Sequence, residues 1–320
     1  MPASAPLPAI ALASGPSPIE ELQNLRRTLG ARPRLLIKRD DTLSFAFGGN
    51  KVRKMQLVAA DAVKQGADTL ITSGGVQSNH ARVTAAAAAK LGMRCILVAN
   101  GPAPEKPSGN ALLDRLLGAE IRYVAHREDR APAMEQAAEE MRRAGRKPYV
   151  IPIGASTPLG AAAFVQAVDE MRTQLPAPPD LIVHSTSSGG TQAGLVAGCV
   201  LAGIGTRVLG ISADEPSASL SEEISRIAAG LFELLESGPE FRHRIAVDVD
   251  DRFVGGGYGV PTPESREAIE LLARTEAIFL DPTYTAKAMA GLIARLRARE
   301  FTDDQTILFW HTGGQVALFA

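Results

Sequence analysis

Apolar and polar positions along the chain follow two rhythms. Short runs rich in β-branched residues, RLLIKRD, DTLITSG, RCILVAN, EIRYVAH, PYVIPI, DLIVHS, TRVLGIS and QTILFWHT, are bounded by turn residues and read as strands. Between them lie Ala- and Leu-rich stretches whose apolar residues recur at helical spacing. These predict helices near 50–65, 79–91, 108–117, 131–144, 157–174, 190–203, 217–236, 263–276 and 284–299. Strand and helix in alternation predict an α/β fold of mostly parallel sheets with helices on both faces. Residues 54–156 carry a βαβαβ pattern of their own, and a second begins after PIGAS. Two lobes with a cleft between them are therefore expected. Ligands of open α/β sheets bind beyond the carboxyl ends of the strands.

Composition narrows the classes. The chain has 320 residues, 45% hydrophobic and 22% charged, with a formal net charge of −1. That balance offers no global field for nucleic acid or for a membrane surface, and no apolar run approaches the roughly 18–20 residues needed to span a bilayer. Cys95 and Cys199 sit inside apolar runs, with neither metal spacing nor a disulfide framework. No metal site is expected. The first residues, MPASAPLPAIALASGPSPIEEL, lack a basic start, and prolines break their apolar stretch. They are expected to form an extended arm rather than a signal peptide, in a cytoplasmic protein.

Six stretches carry candidate chemistry. GGNKVRK, residues 48–54, places Lys51, Arg53 and Lys54 in the first turn of a helix, with Asn50 suited to cap it. Cations there face the partial positive charge of the free amides, at roughly 0.3–1 kcal/mol each when exposed. A solvated basic helix start is the plain reading. The alternative is that Lys51 is a nucleophilic amine, whose pKa its cationic neighbours Arg53 and Lys54 lower. SGGVQSNHAR, residues 73–82, follows the strand TLIT. It sets Gln77, Ser78 and Asn79 at a helix start, where free amides can hold a carboxylate. A capped turn would explain part of it, and His80 reads as structural. HSTSSGGTQAGL, residues 184–195, follows the strand DLIV and matches neither a Walker loop nor the dinucleotide fingerprint. It suggests a cradle for a small phosphorylated ligand, or else a close-packed turn. FVGGGYGVPTPES displays Tyr258 among glycines, LDPTYTAKAM places Tyr284 at a helix start, and FWHTGG offers Thr312 at the end of the last strand.

Taken in order, IKRDD, GGNKVRK, GVQSNHAR, SSGGTQAGL, GYGVP, DPTYTAKAM and HTGG resemble the pyridoxal-phosphate enzymes of the D-cysteine desulfhydrase and 1-aminocyclopropane-1-carboxylate deaminase group, over nearly the whole chain. The resemblance implies a fold type II enzyme of the tryptophan-synthase-β class. Residues 1–53 plus 157–320 would form a large cofactor-binding domain and 54–156 a small one. It implies that Lys51 holds the cofactor and acts as the base at Cα, and that Asn79 bonds the ring oxygen. Lys54 with Ser188, Gly189, Gly190 and Thr191 would bind the phosphate, and Thr312 would stand at the ring nitrogen. Gln77, Ser78 and Asn79 would receive the substrate carboxylate. Tyr284 would stack on the ring and Tyr258 reach the substrate, so that Ser78, Tyr258 and Tyr284 join Lys51 in the catalytic set. Ring-opening deaminases of the group carry a glutamate after the stacking tyrosine, where this chain has Thr285. The resemblance therefore favours β-elimination from D-cysteine or a related β-substituted alanine, giving pyruvate, ammonia and the leaving group. Aminocyclopropane-carboxylate deamination and L-cysteate sulfo-lyase action are the alternatives. A sulfo-lyase needs an added cation that the sequence alone does not place. A homodimer is implied as well.

Overall fold

A computed structural model describes residues 7–320. Its strands are β1 (Ile19–Glu21), β2 (Arg34–Arg39), β3 (Thr69–Gly75), β4 (Arg94–Asn100), β5 (Glu120–Val124), β6 (Pro148–Val150), β7 (Leu181–Thr186), β8 (Arg207–Ser212), β9 (Asp248–Asp250) and β10 (Thr306–His311). Its helices are α1 (Gln23–Leu29), α2 (Asn50–Lys64), α3 (Asn79–Leu91), α4 (Gly109–Leu116), α5 (Arg130–Arg143), α6 (Pro158–Gln174), α7 (Gly190–Leu201), α8 (Ser217–Leu234), α9 (Pro263–Glu276) and α10 (Thr285–Arg297). All eight strands and nine helices expected from the pattern are present. The pattern missed α1 and the three-residue edge strands β1 and β9. IEE and DVD are too short and too polar to show a period, and exist as strands because β2 and β8 offer them an edge.

The strands form two sheets. One has six strands in the order β1-β2-β10-β7-β8-β9, parallel except for β1; the other has four parallel strands in the order β5-β4-β3-β6. Period-2 alternation gives the larger sheet two apolar faces. Leu35 and Ile37 of β2, with Ile307 and Phe309 of β10, pack under α1, α9 and α10. Leu36, Leu308 and Trp310 face the opposite way, onto α6 and α7. Burial on both faces is why these strands read as unbroken hydrophobic runs. In the smaller sheet, Leu70 and Leu97 pack on α2 and α3, while Ile71 and Ile96 pack on α5.

The N-terminal arm, from residue 7 on, is largely without regular structure and lies along α2. Ile10 N donates to Gln56 O at 2.9 Å, and Leu12 is buried. Its first six residues lie outside the described part. No described helix is long and apolar enough to cross a membrane.

Candidate active site

The carboxyl ends of β3, β4, β7 and β10 open onto one cleft between the two sheets. Its wall includes Lys51, Gly74, Gly75, Ser78 and Asn79 from one side, and Ser185–Gly189, Thr191, Tyr258, Tyr284 and Thr312 from the other.

Lys51 stands in the first turn of α2. Gly49 precedes that helix with φ 102°, and a Cβ there would lie 2.9 Å from the carbonyl oxygen of Thr312, so the entry turn requires glycine. Gly49 is also the cap residue, which corrects the expectation for Asn50. The Asn50 side chain instead donates from Nδ2 to Thr191 Oγ1 at 3.0 Å, tying α2 to α7. Lys51 Nζ lies 3.5 Å from Gly154 O, and burial lowers its pKa to about 8. Desolvation is the cause, rather than the cationic neighbours expected from the sequence.

Those neighbours are occupied elsewhere. Arg53 is buried and donates to both oxygens of Asp40 (2.8 and 2.9 Å), to Glu170 (2.8 and 2.9 Å) and to Ser17 Oγ (2.9 Å). Trp310 Nε1 completes the shell around Asp40 at 2.8 Å, and Lys38 is paired with Glu170. Lys54 is fully buried, and Nζ donates to Gly154 O at 3.1 Å and Ser156 Oγ at 3.3 Å. Burial, and then the charge of Lys51, hold its pKa well below the usual lysine value.

Lys54 and Gly190 do not form cleft surface; they back it. Ser156 Oγ lies 2.7 Å from Ser188 Oγ and also receives Gly190 N at 3.3 Å, so Lys54 reaches the turn through Ser156. The α7 N-terminus has no side-chain cap and no acid in its first turn. A Cβ on Gly190 would lie 2.8 Å from Lys54 Nζ and from Ser156 Oγ. The turn therefore has serine hydroxyls, a helix N-terminus and a buried lysine amine behind it, a donor set suited to an oxyanion.

In α3, Ser78 is the cap, accepting from Ala81 N at 3.2 Å and keeping its own proton for a partner in the cleft. Asn79 Oδ1 accepts from Arg82 Nη1 (3.0 Å) and Asn110 Nδ2 (2.9 Å), which leaves the Asn79 amide nitrogen as its free end. Gln77 turns away from the cleft: Nε2 donates to Ser108 O at 3.1 Å and Oε1 accepts from Asn110 N at 2.8 Å. Its side chain anchors α4, which corrects its assignment to the substrate carboxylate. His80 lines the cleft with both lysines nearby. Burial, then the charges of Lys51 and Lys54, keep it neutral. The Thr72 hydroxyl donates to Ile151 O (2.8 Å), so His80 Nε2 must donate to Thr72 Oγ1 (2.8 Å). His80 Nδ1 is thereby left as a buried acceptor without a partner.

The hydroxyls of Tyr258 and Tyr284 meet at 2.5 Å, with their rings 5.7 Å apart and edge to face. Burial raises both phenol pKa values, so both stay protonated. Thr285 makes no part of the cleft wall. It is buried against Asp281, whose Oδ1 accepts from Thr285 N (2.8 Å) and Oγ1 (2.7 Å).

The chain matches the family profile described as "Pyridoxal-phosphate dependent enzyme" over residues 10–313. It is 41% identical to a 1-aminocyclopropane-1-carboxylate deaminase of Burkholderia orbicola (strain MC0-3), covering 98% of this chain and 96% of that protein. This chain belongs to the pyridoxal-phosphate-dependent enzyme family. It is also 38% identical to a D-cysteine desulfhydrase of Klebsiella pneumoniae (strain 342), again over 98% of this chain and 96% of the other. The crystal structure of an ACC deaminase homologue superposes with a TM-score of 0.90 at 38% identity, covering 98% of this chain and 94% of that one. Threonine deaminase isoform 2 of Solanum lycopersicum shares the fold at TM-score 0.67 and 18% identity, over 94% and 80% of the two chains. The fold is thus that of the fold type II enzymes, and the enzyme is a pyridoxal-phosphate-dependent lyase or deaminase.

The residues present fit that cofactor. A partly desolvated amine, an oxyanion turn and a free amide nitrogen on Asn79 border one cleft. The hydroxyls of Ser185 and Thr186 there are buried and unpartnered. Sequence reasoning singled out the stretch that holds Ser185 and Thr186 without naming the two, and missed Ser156, Arg127 and Arg130. Ser156 is 30 or more residues from its partners, and Arg127 and Arg130, in the polar β5–α5 connection and at the first position of α5, carry no motif.

Proposed function

We propose that this enzyme catalyses β-elimination from D-cysteine or a related β-substituted alanine, releasing pyruvate, ammonia and, from cysteine, sulfide. The observation that carries the reading is the Lys51 amine, held in the cleft with a pKa of about 8 where, among the described residues, no carboxylate lines the wall. An amine with that pKa is about one-tenth neutral at pH 7, far more than an ordinary lysine, and in that form can take a proton. Pyridoxal phosphate, when bound, supplies the electron sink for the pair left at Cα. Lys51 holds the cofactor and removes the Cα proton. The Ser188–Thr191 turn, backed by Lys54, receives the phosphate, and the Asn79 amide meets the ring oxygen. Ser78 and the first amides of α3 receive the substrate carboxylate. Thr312, a neutral hydroxyl on the wall, stands toward the ring nitrogen. Tyr284 covers the ring face. The protonated Tyr258–Tyr284 pair offers a proton to the departing group.

Opening of the aminocyclopropane ring is the second reading, supported by the relatives bearing that name. Thr285 in place of a glutamate speaks for elimination, since a neutral partner sustains loss of a good leaving group more readily than carbon–carbon cleavage. The test is pyruvate release from D-cysteine, L-cysteine, L-cysteate, β-chloro-D-alanine and 1-aminocyclopropane-1-carboxylate. Turnover of the last alone would overturn elimination. Purified enzyme should absorb in the visible, and Lys51→Ala should remove that band.

The proposal extends to a cytoplasmic homodimer without nucleic-acid partners, in line with the near-zero net charge and two buried free thiols. Division into a small domain, 54–156, and a large one, 1–53 plus 157–320, is supported by the residues that each sheet draws on.

A further inference from the structure

The cleft has a cationic wall that neither the phosphate turn nor the carboxylate site uses. Arg127 and Arg130 follow β5 and line the cleft together with Asn100 at the end of β4. Arg127 lies with its guanidinium 5.8 Å from the Tyr258 ring centroid and is neutralised by Asp214 (3.1 Å) and Glu215 (3.5 Å). It bridges the segment after β5 to the segment after β8. Arg130 is different. Its Nε donates to Arg127 O (2.9 Å) and its Nη1 makes a long contact with Asn100 Oδ1 (3.4 Å). Among the described residues no carboxylate lies within 4 Å of it, although it is only partly exposed. Its wall holds Tyr258 and Tyr284, and among the described residues no acid lines it. Partial burial, then the charge of Arg127, lower its pKa, against a weaker opposing pull from the more distant Asp214.

We propose that Arg130 is a specificity-determining residue whose guanidinium receives a negatively charged substituent on Cβ of the substrate, a sulfonate or phosphate oxyanion. Arg127 holds Tyr258 and the two lobes in place around it. This deepens the elimination reading and rests on it: the phosphate turn takes the cofactor, Ser78 and Asn79 take the α-carboxylate, and Arg130 remains for a second anion. For cysteate the step balances with water alone. The Cα–H bond breaks, its electron pair forms the Cα–Cβ double bond, and the Cβ–S bond breaks with its pair on sulfur. Water then hydrolyses the enamine product, giving pyruvate, ammonium and hydrogen sulfite.

The test compares kcat/KM of the holoenzyme for L- and D-cysteate and for L- and D-phosphoserine with that for β-chloroalanine, in wild type, Arg130→Gln and Arg130→Lys. One lost charge-assisted hydrogen bond should lower the ratio of charged to uncharged substrate by about 10–100-fold in Arg130→Gln, with partial recovery in Arg130→Lys. The cysteate and phosphoserine arms distinguish sulfonate from phosphate. A merely structural arginine, or one that binds the α-carboxylate, would depress all substrates alike, and that result would overturn the assignment. A second readout does not depend on turnover. 3-Sulfopropionate should raise the melting temperature of wild-type holoenzyme and lose that effect in Arg130→Gln. An equal shift in both proteins also refutes the assignment. Failure of wild type to release pyruvate from every β-substituted alanine would instead overturn the elimination reading, with the sulfopropionate shift still deciding for or against Arg130.

Discussion

Arg53→Met removes the cation at the centre of the buried network behind the active-site helix and keeps most of the side-chain volume. Asp40 is fully buried. Burial pushes its carboxyl up, but the charge and hydrogen bonds of Arg53, with those of Trp310 and Ser17, outweigh this and hold it below the ordinary carboxylate range. Without Arg53, Asp40 keeps two neutral donors against full desolvation, and Glu170 keeps Lys38 and the Ser17 amide. Removing one partner of a buried ion pair costs about 3–5 kcal/mol. At about 2.1 cal/mol/K per residue over 320 residues, that lowers Tm by about 4–7 °C. The assay is urea unfolding followed by fluorescence of Trp310, the single tryptophan, which bonds Asp40 directly. The pH dependence carries the sign. In wild type the Asp40 contribution is present above the unfolded carboxylate pKa and lost as pH falls through the lower folded value. In Arg53→Met burial dominates and the folded pKa rises above the unfolded one. From pH 7 toward pH 4 the mutant regains stability while wild type holds its own, and below about pH 4 wild type loses its Asp40 contribution as well, so the gap closes as pH falls. A gap below about 1 kcal/mol at pH 7, or one unchanged by pH, refutes this account of the three-cation helix start.

Lys51, with its folded pKa lowered to about 8, binds fewer protons than in the unfolded chain between about pH 8 and 10.5. Apoenzyme stability should therefore rise with pH across that window, and Lys51→Met should flatten the rise in thermal melts. Added pyridoxal phosphate should raise Tm, and Lys54→Ala should shrink that gain; an undiminished gain would separate Lys54 from the phosphate turn. Thr285→Glu brings a second carboxylate against fully buried Asp281, and chemical denaturation should show a loss on the order of 3 kcal/mol.

The sequence by itself determined the fold class and the core of the chemistry. The alternation of strand and helix is a local pattern, and period 2 or 3.6 survives in the chain whatever it packs against. Lys51, Ser78, Asn79, Ser188, Tyr258, Tyr284 and Thr312 sit at strand ends and helix starts, where glycine turns mark the cleft in advance, and all of them line it. Tertiary structure decided how these residues are held. Asn50 and Gln77 looked like cap and ligand, yet each bonds an element far along the chain. Arg53 looked solvated and is buried, because Asp40 and Glu170 come to it from 13 and 117 residues away. The pKa of Lys51 follows from desolvation, a property of everything folded around it rather than of its neighbours in sequence. Arg130 carried no motif. Its isolation from acids exists only where β4 and β5 end beside Tyr258, since unpaired charge is a fact of three-dimensional surroundings and has no period to read.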